Sequence, residues 1–351
     1  MGTITFLLVL SFLVFFHELG HFLAARYFGV KVHVFSIGFG KQLFAKEWKG
    51  TTWQLSLIPL GGYVKMKGQD DSNPALVESG DDSYNTKRPW QRIVILFAGP
   101  FANFLLAAIL YFTIAIIGAS ALAPQIGQVQ ENSPAFKAGI QKNDQIVRIN
   151  NTEITTWEDI GKIIVNTQGS LKFYIQRDNK LIAKTINPHI SDAQNMFKES
   201  IKKRMIGISP SGKIVKLDLS INESLVFAYE KTIFASTMIF QGVQKLIQGV
   251  IPSSEVGGVI TIGKVISDAS QSSIIALLTI TALISVNLGV LNLLPIPALD
   301  GGHIMFNIYE MITRRKPSDK VFMILTISGW VILGGLMLLG IYNDINRIFL
   351  K

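Results

Sequence analysis

Phe12-Leu13-Val14-Phe15-Phe16-His17-Glu18-Leu19-Gly20-His21-Phe22-Leu23-Ala24-Ala25 sets three ionisable side chains inside an otherwise apolar run. At 3.6 residues per turn, His17 and His21 share one helix face, where two imidazoles can hold one Zn²⁺, and Glu18 is placed to take a proton from a water that the metal polarises. Burying such groups in hydrocarbon costs several kcal/mol, a cost that metal coordination offsets. A purely structural zinc is the bland alternative.

The surrounding sequence places this motif in a membrane. The chain has 351 residues and is 49% hydrophobic, with a mean hydropathy of +0.37, above the soluble range. Four apolar runs, about 3–25, 93–118, 274–296 and 322–342, reach the length of roughly 20 residues that a spanning helix needs. Met1 to Ala25 lacks a basic leader and a small-residue cleavage site, so it reads as a retained span. Cysteine is absent, which excludes a thiol nucleophile and a Cys-based zinc site. The net charge of +9 comes from basic residues beside the apolar runs, without an arginine-rich tract, which excludes nucleic acid as the partner.

Those basic residues set the orientation. Arg26, Lys31, Lys41, Lys46, Lys49, Lys65, Lys67, Lys87, Arg88 and Arg92 separate the first two spans, and Arg314, Arg315, Lys316 and Lys320 the last two, so both loops are expected in the cytoplasm. Both termini and residues 119–273 then lie on the opposite face, which is periplasmic in a Gram-negative cell. The expected localisation is the bacterial inner membrane. Segment 222–250 has apolar residues at helical spacing (Leu225, Tyr229, Ile233, Phe234) but carries Glu230, Lys231 and Lys245, which suits an interfacial helix.

The loop after the first span reads as two strands, Val32-His33-Val34-Phe35-Ser36-Ile37 and Trp53-Gln54-Leu55-Ser56-Leu57, too apolar for an aqueous loop. A hairpin dipping into the membrane is expected, lining a watery cavity. Such a hairpin can hold an unwound substrate as an added strand, and Asn103 and Asn292 can satisfy its bared backbone groups, or else simply bridge helices.

A catalytic zinc needs a third ligand. A metzincin pattern fails, since Ala24 and Tyr27 stand where it needs Gly and His, and Glu47 lies among lysines. Asp300 and His303 follow Pro295-Ile296-Pro297, where a helix must break. Asp300 is favoured because Gly301-Gly302 lets the backbone pack closely, although an Asp there also suits a helix cap. With Glu18 as base, the chemistry is peptide-bond hydrolysis without a covalent intermediate.

His17-Glu18-Leu19-Gly20-His21, Val34-Phe35-Ser36-Ile37-Gly38-Phe39-Gly40, Ile58-Pro59-Leu60-Gly61-Gly62-Tyr63-Val64-Lys65-Met66, Gly99-Pro100-Phe101-Ala102-Asn103 and Asn292 through His303 occur in this order. Together they resemble the site-2 protease family of intramembrane zinc metalloproteases, in its RseP-like branch. The resemblance implies Asp300 as third zinc ligand, in place of the cap, and Asn292 as a residue that handles substrate. It also makes residues 121–210 similar to a circularly permuted PDZ domain, with Ile126-Gly127 in its peptide-groove strand. Two departures stand out: the chain has room for one PDZ domain where RseP carries two in tandem, and Gly257-Gly258-Val259 replaces a Gly-Pro-Ile-like element.

The expected architecture is a polytopic α-helical membrane protein of about four spans with a membrane-inserted β-hairpin and one extracytoplasmic PDZ domain. Its parts are 1–118, the PDZ domain 119–215, a connecting region 216–273 and the C-terminal membrane half 274–351. The expected partners are lipid and single-span membrane proteins already shortened by another protease, such as an anti-sigma factor or a remnant signal peptide, with peptide or terminus binding at the PDZ domain. A membrane zinc transporter or sensor, or an inactive PDZ-bearing scaffold, are the competing readings.

Overall fold

The computed structural model describes residues 2–69 and 80–349. Its contacts divide the chain into two bodies, Met1–Ile114 with Asn222–Lys351, and Ala115–Ile221.

The first body begins with α1 (Gly2–Tyr27), which Gly29 ends at φ +68°. Val30 N–H donates to Ala25 O and Gly29 N–H to Arg26 O, the paired bonds of a left-handed helix stop, and Val30 packs in one cluster with Ala25. Strands β1 (Val32–Trp48) and β2 (Thr51–Met66) follow, longer than the two short strands expected. Their register shows that each folds back on itself. Val34–Ile37 pairs with 62–65 on one side and 52–55 on the other, while 51–56 also pairs with 42–48. The result is a mixed sheet of four segments in the order 62–66, 32–37, 51–56, 42–48, in which 34–37 runs parallel to 52–55 and the outer pairings are antiparallel. Gly38 (φ +90°) and Gly40 (φ +83°) make the bend in β1 where a side-chain-bearing residue would be strained.

Helix α2 (Pro89–Gly118) leads to the second body. There, β3 (Ser120–Leu122), β4 (Ile126–Val129), the short α3 (Pro134–Lys137), β5 (Gln145–Ile149), β6 (Thr152–Glu153), α4 (Trp157–Asn166), β7 (Leu171–Arg177), β8 (Lys180–Ile186), β9 (His189–Gln194), β10 (Ser200–Met205), β11 (Ile208–Pro210) and β12 (Ile214–Lys216) enclose a core that includes Ile126, Ile149, Ile160, Phe173 and Ile175. The main sheet runs β6-β5-β7-β8, and β4 pairs with β11.

Buried Asp144 takes a forked ion pair from Arg177, whose Nε and a terminal nitrogen each lie 2.7 Å from a carboxylate oxygen. The Arg177 guanidinium is held above its ordinary pKa by that bond. Removing one partner of a buried pair strands the other charge, at about 3 kcal/mol. Arg177→Ala is therefore expected to lower the melting temperature of the isolated 115–221 body by more than about 10 °C, read by circular dichroism.

The chain returns to the first body through α5 (Ile221–Ile247), α6 (Val259–Ser272), α7 (Ile274–Asn292), α8 (Asp300–Thr313) and α9 (Asp319–Phe349). Helix α5 packs through small residues, Ser224, Ala228, Thr232 and Ala235, and leaves Leu225, Tyr229, Ile233 and Phe234 exposed. The apolar residues that signal this helix in the sequence are thus not its packing face. Near the end of α9, fully buried Asp344 accepts bonds from the N–H groups of Gly258, Ile260 and Thr261 and from the Thr261 hydroxyl, capping α6 with a side chain from far along the chain. Helix α6 in turn packs against α1, α7 and α9.

Four of the described helices are long and apolar enough to cross a membrane: Gly2–Tyr27, Pro89–Gly118, Ile274–Asn292 and Lys320–Ile348.

Candidate metal centre

Helix α1 supplies His17, Glu18 and His21. The two Nε2 atoms lie 3.2 Å apart with the rings nearly perpendicular, as two ligands converging on one point require. Asp300 Oδ2 lies 3.4 Å from each of them. A tetrahedral zinc with bonds of about 2.0–2.1 Å separates its ligands by about 3.3–3.4 Å. The three atoms therefore fit one zinc ion and leave its fourth position open. Among the described residues, this is the group of three that could share a metal ion.

Asp300 reaches the site because the chain reverses between α7 and α8. Ile296 N–H donates to Leu294 O and Ala298 N–H to Ile296 O, winding 293–299 into a tight turn. A Cβ on Gly301 would overlap the carbonyls of Leu293 and Leu294, and one on Gly302 that of Ile296. Asp300 is the first helical residue of α8 and Leu299 holds the cap position, so the aspartate is not the helix cap. His303 packs instead with Phe306 and Phe322.

Helix α2 backs both histidines. His21 Nδ1 donates to Ile95 O at 2.9 Å, and His17 Nδ1 lies 3.1 Å from the Asn103 amide nitrogen. Gly99 lets His21 lie flat on α2, since a Cβ there would overlap the imidazole. Gly20 does the same for the helix crossing, its missing side chain making room for the Ala98 carbonyl. Neither glycine announces this in local sequence, beyond standing within the quoted motifs.

The sheet closes the other side. Gly62 lies against Glu18, a Cβ on it falling 3.2 Å from Glu18 Cγ, and the Val64 backbone N–H faces the Glu18 carboxylate. Glu18 thus lies against the edge segment of the sheet.

The remaining expected residues lie elsewhere. Asn292 is the last residue of α7, half-buried, ahead of the turn that carries Asp300. Ile126 and Gly127 belong to the second body, and Ile126 has neighbours on both edges of its strand. Ile126 N–H donates to Asp144 O, its carbonyl accepts from Asn143 N–H, and its other edge pairs with Pro210. The backbone N–H and C=O of Ile126 are thereby already engaged within this body.

Comparison with known proteins gives the family. The profile of peptidase family M50 matches residues 5–336. A Campylobacter jejuni protein, Cj1068, provisionally named a zinc metalloprotease, is 50% identical over 341 residues, covering 97% of this chain and 92% of that protein. A Helicobacter pylori (strain J99) protein with the same provisional name is 40% identical over 350 residues, covering 97% and 98%. Metalloprotease MmpA of Caulobacter vibrioides is 31% identical over 382 aligned residues, covering 98% and 95%. With apolar helices long enough to span a bilayer and a His, His, Asp cluster between them, the chain belongs to peptidase family M50, the site-2 proteases, and is a membrane metalloprotease.

Proposed function

We propose that this protein is an intramembrane zinc endopeptidase that cuts the transmembrane segments of single-span proteins. The observation that carries the reading is the convergence of His17, His21 and Asp300 at zinc-ligand spacing beside Glu18, on a helix apolar enough to span the bilayer. A bound zinc supplies Lewis acidity, polarising a water and the scissile carbonyl. Glu18 takes the proton from the water and returns it to the departing amine. The Val64 N–H faces that carboxylate from the edge of the sheet.

A helical substrate hides its carbonyls in i to i−4 bonds and must unwind before reaction. The 62–66 edge, beside Glu18, is the proposed dock for the extended segment, in a hairpin set within the membrane. Asn292, at the end of α7, is proposed to satisfy one of the backbone groups bared by unwinding.

The 115–221 body is proposed to be a PDZ module on the extracytoplasmic face of the inner membrane, meeting termini left by an earlier cut. Because the Ile126 backbone is already engaged, such a terminus is proposed to add elsewhere along β4 or at another edge of this body. Substrates of the anti-sigma or remnant-signal-peptide kind fit this order of events.

The test is cleavage of a single-span reporter by the full chain in liposomes, before and after zinc is stripped by a chelator. Cleavage is expected to stop with the metal removed and to return with about one equivalent of zinc. Cleavage undiminished after stripping would sink the proposal.

A further inference from the structure

We propose that Asn103 is a positioning residue for the metal centre, its side-chain oxygen accepting the Nδ1 proton of His17 and so freeing His17 Nε2 to bind zinc. The inference rests on the zinc reading above and adds a role for α2 that goes beyond packing.

His17 presents Nε2 to His21 and Asp300, so Nε2 must carry the lone pair that meets the metal. A neutral imidazole has one N–H, which then sits on Nδ1 and needs an acceptor. The group 3.1 Å from Nδ1 is the Asn103 amide, and only its oxygen can accept. That oxygen is fully buried and has no hydrogen-bond partner where it stands, with the amide nitrogen turned toward the ring. An amide has the same shape whichever way its two ends point, so the ring chooses between them. Turning it gives the orphaned oxygen a donor and gives His17 the tautomer that zinc requires.

The residue is also fixed in place. Asn103 is 0% exposed, leaving no solvent to substitute for its amide, and the equally buried Ser285 of α7 donates to its backbone carbonyl at 2.8 Å. His21 supplies the internal comparison. Its Nδ1 faces the Ile95 carbonyl, an acceptor with no alternative, and the same helix thereby sets both histidines one way. Of these two supports, the one at Asn103 can be changed by mutation.

The test measures zinc affinity of the full-length protein in detergent by competition with a chromogenic chelator, together with KM and kcat at saturating zinc. Asn103→Leu keeps the branched outline with bulkier ends and removes the acceptor, and is expected to weaken zinc binding by about 10–100-fold. Asn103→Asp keeps an acceptor and lacks a donor, and is expected to stay within about threefold of wild type. Loss of zinc in the Asp variant would show that the amide donates, and would overturn the proposal even if the Leu variant failed to fold. Wild-type zinc affinity in both variants with a raised KM would overturn it in favour of substrate contact. Absence of stoichiometric zinc from the wild type itself would instead remove the zinc reading, an outcome distinguishable from the others because no mutation is involved.

Discussion

Glu18→Gln is expected to retain one zinc per chain while slowing peptide-bond cleavage by about 10³-fold. Glutamine has the shape of glutamate, and its Oε1 can still accept the Val64 N–H that faces the native carboxylate. Ligand geometry at His17, His21 and Asp300 should be unchanged, because Glu18 supplies none of the three converging atoms. What disappears is the capacity to take a proton from the attacking water. Single-turnover cleavage in liposomes beside zinc analysis of the same preparation separates the two properties. Equal cleavage by both proteins would exclude Glu18 as the base.

Gly99→Ala should act through His21 and produce the opposite combination, a well-folded protein that holds zinc poorly. The added Cβ overlaps the imidazole, and α2 cannot retreat without losing the Ile95 carbonyl that orients the ring. His21 Nε2 must then leave its position beside His17 and Asp300. Alanine is the better helix former by about 1 kcal/mol, so α2 itself should gain stability. The expected result is zinc affinity lower by about 100-fold, with the unfolding temperature of the metal-free protein unchanged or raised. Tight zinc binding in this variant would mean that α2 yields and that the glycine is there only for packing.

Much of this was readable from sequence because hydrocarbon penalises unpaired charge. His17, Glu18 and His21 stand out against Phe12–Phe16 and Phe22–Ala25, and span length alone identifies four helices. Asp300 was harder, since spacing cannot rank it against His303 or a capping role. The structure brings Asp300 to the two histidines, turns His303 to Phe306 and Phe322, and gives the cap position to Leu299. Asn103 was legible as a polar residue in an apolar run but not for its partner, which lies 86 positions away. Gly20 and Gly99 work at a crossing between helices, which no periodicity within one helix encodes. The bonds that Asn143 and Asp144 make to the Ile126 backbone were hidden for a related reason, since no strand pattern encodes a return of the chain.

Asp344 also bears on how the enzyme is made. The N–H groups it caps at Ile260 and Thr261 are synthesised 84 and 83 residues earlier, and α6, which they begin, packs against the helix that carries His17 and His21. Until α8 and α9 have been made, the histidines lack Asp300 and α6 lacks its carboxylate. Both arrive only with the last helices of the chain. A polypeptide truncated before Asp300 therefore carries two imidazoles and a glutamate but not the third converging ligand, and is expected to hold zinc poorly beside the full chain, as zinc analysis of both would show.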